Sequence, residues 1–162
     1  MQANPVVFLD ISLNTSQRLL VELFADQFPT VSPKQFCEKF RQLFTGEYRP
    51  QGKPLGYKGC RVDRVVQGSF FSVVQELEVQ DWELSELKAG KHSEAGLLGV
   101  VPEQLPGFYV TLGPCRWMDT EGFVVGRLEK ASLKVLEELE SLPLQPGGKP
   151  VYPVVAEQCG QM

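Results

Sequence analysis

Arg64 is the side chain of this sequence best placed to do chemistry: one arginine at the centre of a short β-branched run, inside the stretch Gly56 to Phe71. The stretch reads as a glycine turn at Gly56-Tyr57-Lys58-Gly59, a strand through Val62, Arg64 and Val65, a second turn at Gln67-Gly68, and a new strand from Phe70. A guanidinium on a strand beside aromatics can form a site. By residue type alone, an arginine on a strand is more often a solvated outward residue. The residue types leave both readings open.

The other reactive side chains are sparse. Cys37, Cys60, Cys115 and Cys159 are widely separated and include no Cys-x-x-Cys pair, which excludes a zinc knuckle or redox motif and favours buried thiols over a disulfide framework. His92 is the single histidine and lies in a polar stretch, so a serine-histidine-aspartate arrangement would rest on that residue alone. Neither a metal nor another cofactor is expected. A net charge of -4 supplies no basic face for phosphates and argues against a nucleic-acid partner. No apolar run reaches the roughly 20 residues of a membrane span, and no signal-like start is visible, so an intracellular (cytoplasmic or nuclear) chain is expected.

The elements that must carry these residues are mostly short strands. With 162 residues, 43% of them hydrophobic, the chain fits one domain over 1–162. Alternation over Pro5 to Leu13 and Leu19 to Leu23, around an Asn14-Thr15-Ser16 turn, predicts an opening hairpin. Ser32-Pro33 predicts a helix start, and Phe36, Phe40, Leu43 and Phe44 share one face before Gly46 ends the helix. Glu47 to Gly56 predicts a loop. The strand after Gly68 is expected to continue to Leu77, and Glu76 to Glu94 to be a polar, acidic loop with at most one turn of helix, anchored by Trp82, Leu84 and Leu87.

Further strands are expected at Ala95 to Val101, Phe108 to Leu112, Phe123 to Leu128 and Val151 to Val155. A turn at Pro102 to Gly107 and a loop holding Trp117 separate them. Ser132 is read as the cap of a second helix with Leu133, Leu136, Leu139 and Leu142 on one side. Short strands with only two helices point to a mainly β barrel or sandwich plugged by the helices.

Several segments, in order and with compatible spacing, carry a family resemblance. They are Asn4 to Ile11, Glu22 to Asp26, Phe40-Arg41-Gln42-Leu43-Phe44-Thr45-Gly46-Glu47, Gly56-Tyr57-Lys58-Gly59 and the terminal Cys159-Gly160-Gln161-Met162. Over nearly the whole chain they resemble the cyclophilins, the cyclophilin-type peptidyl-prolyl cis-trans isomerases. The resemblance implies a closed eight-stranded antiparallel β-barrel capped by two helices. It also implies a cofactor-free site, in which an arginine on the third strand engages the prolyl amide and an apolar pocket seats the proline ring. Arg64 aligns with that arginine.

The remaining groove equivalents are Val62, Ser69, Phe70, Ser72, Val101, Tyr109, Trp117 and Gly122, and most depart from the family. Val62-Asp63-Arg64 replaces Phe-His-Arg, and Ser69, Phe70 and Ser72 replace phenylalanine, methionine and glutamine. Val100-Val101-Pro102 replaces Met-Ala-Asn, Tyr109 replaces a phenylalanine, and Gly122 replaces a histidine. Trp117 is retained. Ser69 and Gly122 both stand for larger groups and are expected to open or dry out the proline seat.

These changes imply a degenerate site with little or no isomerase activity, serving as a protein-interaction module for a protein or peptide partner, including proline-containing ones. The alternative is a weakly active isomerase that uses Arg64. Poor binding of cyclosporin-type inhibitors and a monomeric domain are expected, and the end of the chain at the family terminus fits a C-terminal module of a larger protein. Asp63 beside Arg64 could draw on its charge. The cations Lys39, Arg41, Arg49, Lys53, Lys58 and Arg61 precede an acidic run from Glu76 to Glu86; ordinary solvated faces are the expected reading, and a charged partner surface is the alternative if these charges segregate in space.

Overall fold

Burial of every second residue makes the opening hairpin. Val7, Leu9 and Ile11 face inward from β1 (Val6–Ser12), as do Leu19, Val21 and Leu23 from β2 (Ser16–Leu23), and the two strands pair from Val6–Glu22 to Ser12–Ser16. This computed structural model describes residues 4–24, 31–49, 52, 55–75 and 90–162, with backbone alone at 31–37. The expected anchors Trp82, Leu84 and Leu87, the extension of a strand to Leu77, Lys53 and the acidic run lie outside the described residues, as do the side chains of Ser32, Pro33, Phe36 and Cys37.

A helix, α1 (Val31–Thr45), follows the hairpin and ends where Gly46 takes a φ of 83° and donates its N–H to the Gln42 carbonyl at 2.9 Å. Then come β3 (Arg61–Val66), β4 (Phe70–Val74), β5 (Leu97–Val100), β6 (Phe108–Thr111), β7 (Phe123–Leu128), α2 (Val135–Glu140) and β8 (Ala156–Gln161). The strands form one eight-stranded antiparallel sheet in the order β3-β4-β6-β5-β7-β2-β1-β8. Its two edges meet at a single bridge, Arg61 to Val155, reinforced by the Val62 N–H on the Val154 carbonyl (2.9 Å) and the Ala156 N–H on the Cys60 carbonyl (2.8 Å). The sheet therefore curls into a barrel whose seam is one bridge and not a full ladder, which corrects the expectation of a closed barrel.

Inside the curl, Phe40 and Phe44 of α1 pack edge-on against Tyr57, whose ring lies 4.9 Å from those of Phe44 and Phe108. The fully buried Tyr57 hydroxyl donates to the Pro106 carbonyl at 2.5 Å, so the strand-entry turn and the turn before β6 are tied through the core. Two expected elements are different in the structure. The last strand is Ala156–Gln161, paired with β1; Val151 and Tyr152 are exposed because Pro150 and Pro153 interrupt that stretch. The second helix is shorter than Ser132 to Leu142, and Ser132 caps nothing. It sits in a 3-10 turn (Lys130–Ser132), where its buried hydroxyl accepts the Leu20 N–H at 2.9 Å and docks the turn on β2. Among the described residues no helix is long and apolar enough to cross a membrane.

Candidate functional site

The register of β3 on β4 places the arginine. Val62 pairs with Val73 and Arg64 with Ser72, which leaves Asp63 as an extra residue in a bulge. Strict alternation would put Asp63 and Arg64 on opposite faces. The bulge instead leaves both exposed between the buried Val62 and Val65, and both line a groove of about 390 Å³. Phe70, Ser72, Val101, Tyr109 and Trp117 line it as well, joined by Met118, Gln104 and Glu121. Phe70 is the centre of the apolar wall, with ring centroids 6.0 Å from Tyr109 and 5.7 Å from Trp117. Trp117 is 53% exposed on a 3-10 turn (Arg116–Thr120), not in an irregular loop, and stands at the rim.

No hydrogen bond or ion pair with a described residue engages the Arg64 guanidinium, and Asp63 does not pair with it. Its stem is braced from below. The Val65 N–H donates to the Gly148 carbonyl at 2.8 Å, and a Cβ at Gly148 (φ 93°) would lie 2.8 Å from the Val65 carbonyl oxygen and 3.1 Å from Arg64 Cγ. Only a glycine lets the chain approach β3 this closely.

Three expected groove residues stand elsewhere. Val62 is 4% exposed in the barrel core, because the bulge turns it inward and hands its groove position to Asp63. Ser69 belongs to the turn between β3 and β4, its carbonyl accepting the Leu112 N–H at 2.8 Å, and does not border the groove. Gly122 is buried beneath it, and the space freed by its missing side chain is filled: a Cβ there would overlap the Tyr109 hydroxyl, and one at Gly99 would overlap the same ring. The seat is thus floored by tyrosine, not opened.

What fixes that tyrosine is the residue the sequence reading set aside. His92 is fully buried, stacked on the Tyr109 ring at 5.7 Å, with Nε2 2.5 Å from the Tyr109 hydroxyl and Nδ1 2.8 Å from an Asp119 carboxylate oxygen. With Nδ1–H donating to the carboxylate, Nε2 is assigned as the acceptor of the phenolic proton. The His92 N–H also donates to Asp119, at 2.6 Å. This backbone bond, then the ring bond, holds the Asp119 carboxyl below the usual carboxylate range, while burial pushes the Tyr109 phenol upward. The hydroxyl stays protonated and committed to His92.

Gly122→Ala should therefore destabilise the fold by about 1–3 kcal/mol through overpacking, and by clearly less in a Tyr109→Phe background, where the colliding oxygen is gone. Urea unfolding of the four-member cycle measures this coupling.

Among the described residues no three histidine, cysteine or acidic side chains gather as metal ligands, and Cys115 and Cys159 are free thiols. Among the described residues the groove's own groups are a guanidinium, a serine hydroxyl, the Gln104 amide, two carboxylates and an aromatic wall. They can seat a small apolar ring and hydrogen-bond an amide.

Known proteins agree with this geometry. Residues 8–161 match the family described as cyclophilin type peptidyl-prolyl cis-trans isomerase/CLD. Peptidyl-prolyl cis-trans isomerase CYP22 of Arabidopsis thaliana is 35% identical over 98% of this chain and 85% of its own length. Peptidyl-prolyl cis-trans isomerase H of Rhizopus delemar is also 35% identical, over 98% of this chain and 94% of its own. Peptidyl-prolyl cis-trans isomerase 11 of Caenorhabditis elegans is 31% identical over 98% and 92%. An antiparallel sheet curled around a phenylalanine-bearing helix, a third-strand arginine facing an aromatic groove, and relatives matched across almost their full lengths together place the chain in the cyclophilin-type peptidyl-prolyl cis-trans isomerase family.

Proposed function

We propose that this domain binds proline-containing segments of a protein or peptide partner in the Arg64 groove and has little or no isomerase activity. The observation that carries the reading is the combination of an open groove with an unengaged arginine and the commitment of the groove's buried hydroxyl elsewhere. Turning an X-Pro bond requires crossing a barrier of about 18–20 kcal/mol, and a protein lowers it by gripping the amide more tightly when it is twisted than when it is planar. Arg64 can supply one such contact to an amide whose resonance is lost. The groups that the family resemblance assigns to holding the rest of the amide are absent: Ser72 is too short to reach as a glutamine would, and Pro102 lacks an amide side chain; the hydroxyl that Tyr109 adds donates to His92 instead. Misplacement of a substrate alone can cost about a hundredfold in rate.

A second reading, a weakly active isomerase, is favoured by the freedom of the Arg64 guanidinium. Exchange NMR on Xaa-Pro peptides separates the two. The expected result is binding, seen as shifts around Phe70, Tyr109 and Trp117, with interconversion near the uncatalysed rate of roughly tens of seconds. Catalysed exchange that vanishes in Arg64→Ala would replace the first reading with the second. Cyclosporin-type inhibitors should bind weakly to either form, as calorimetry can measure. The partner is a protein or peptide and not a nucleic acid, and the domain acts as a monomer.

A further inference from the structure

The groove does not end at Asp63. Beyond it, sharing Asp63 and Val74 as a common wall, lies a second hollow of about 570 Å³ bordered by Lys58, Arg61 and Lys149. Two separate pieces of chain bring these cations together. Lys58 comes from the turn whose Gly59 N–H donates to the Ala156 carbonyl at 2.7 Å, and Arg61 opens β3 at the barrel seam. Lys149 follows Gly148, the glycine pressed against β3 under the Arg64 stem, and its carbonyl accepts the Gln145 N–H at 2.7 Å.

The charge of this hollow is not the background of the molecule. The chain carries a net charge of -4, yet among the described residues three cations border this hollow and one carboxylate, that of Asp63, does. Elsewhere Arg18, Arg41 and Arg127 are paired with Asp10, with Glu38 and Glu47, and with Glu22. Lys58, Arg61 and Lys149 are exposed and have no ion pair with any described residue. The remaining polar lining group, the Gln75 amide, already donates to the Gly56 carbonyl. Unpaired cations in a concave site favour an incoming anion, because the walls limit solvent screening and the charges need no rearrangement.

We propose that this hollow is an annex to the prolyl groove that receives acidic side chains of the bound peptide, so that the domain selects proline segments flanked by aspartate or glutamate. An extended peptide advances about 3.3 Å per residue, so a side chain a few positions from the proline reaches the hollow. The inference rests on the reading of the Arg64 groove as a proline-peptide site, and it names the class of peptide.

The test is a nitrogen-15 NMR titration of the intact chain with three peptides: a neutral alanine-proline peptide, the same with glutamates before the proline, and the same with glutamates after it. One acidic peptide should bind about three- to tenfold tighter than the neutral one at low salt and shift the amides of Lys58, Arg61 and Lys149. The gain should shrink as salt rises and disappear in a Lys58→Gln, Arg61→Gln, Lys149→Gln variant that still binds the neutral peptide. All three positions are exposed, and the single Lys58→Gln and Lys149→Gln variants give a partial loss if the triple variant is poorly folded. No gain from either flank, or a gain that survives neutralisation, overturns the annex. A neutral peptide that leaves the Arg64 groove unshifted overturns the prolyl reading instead, with the annex judged by its own amides.

Discussion

Replacing His92 by alanine is expected to lower the free energy of unfolding by about 3 kcal/mol, which in a chain of this size moves the melting temperature down by roughly 6–12 °C. Two effects combine. A fully buried ring is removed from a packed site, and the Tyr109 hydroxyl loses its acceptor beneath Gly122, where no other described group replaces it. Urea unfolding gives the size of the loss, and a loss below about 1 kcal/mol would mean that the site relaxes or admits water.

The same variant should alter the acid limb of stability. In the folded chain the Asp119 carboxyl titrates below its ordinary value, so the unfolded chain takes up that proton first as the pH falls. The contribution is therefore complete above the ordinary aspartate range and is lost as the pH drops through the folded value. Removing the imidazole leaves the backbone N–H of residue 92 as a donor, so the limb becomes shallower and does not vanish. Midpoints measured between about pH 2 and 5 report it.

The second large effect belongs to the core. Phe44→Ala should destabilise the domain by about 3–5 kcal/mol, read as a fall in the urea midpoint at unchanged slope. Phe44 is 1% exposed and meets Phe40 at 5.5 Å, Tyr57 at 4.9 Å and Phe108 at 5.9 Å, so its removal opens a hole among rings that join α1, the turn before β3 and β6. Those surrounding rings are pinned, Tyr57 by its bond to the Pro106 carbonyl, and cannot collapse freely into the space. A cost under about 2 kcal/mol would mean that they do.

The hairpin and the helix stripe were legible because their signals are local: alternation at Val7, Leu9 and Ile11, and the Phe40, Leu43, Phe44 face. The family resemblance then located Arg64, Phe70, Ser72, Val101, Tyr109 and Trp117 in one groove, and all six line it. What stayed hidden depends on partners far away in the chain. The Asp63 bulge is a register event between two strands, invisible in the run of residues 61–66 alone, and it moved Val62 out of the groove. His92 looked like a polar loop residue because its acceptor and donor, Asp119 and Tyr109, lie 27 and 17 positions on. Its one available signal was correlated: a tyrosine and a glycine standing where the family has a phenylalanine and a histidine. Ser132 misled for a similar reason, since its hydroxyl bonds a strand 112 positions away and not the helix that follows.

The brace under Arg64 bears on how tightly the groove can hold anything at all. A free arginine side chain samples many rotamers, and immobilising it on binding typically costs about 0.5–1.5 kcal/mol of conformational entropy. Here Gly148 closes off one side of the stem, within 3.1 Å of Cγ for any atom added to it, so part of that freedom is already surrendered during folding. A stem limited on one side at Cγ leaves the guanidinium itself free while removing some of the rotamers it would otherwise sample. On the proposed reading of the groove, the close approach of one glycine would lower the entropic cost of engaging a peptide.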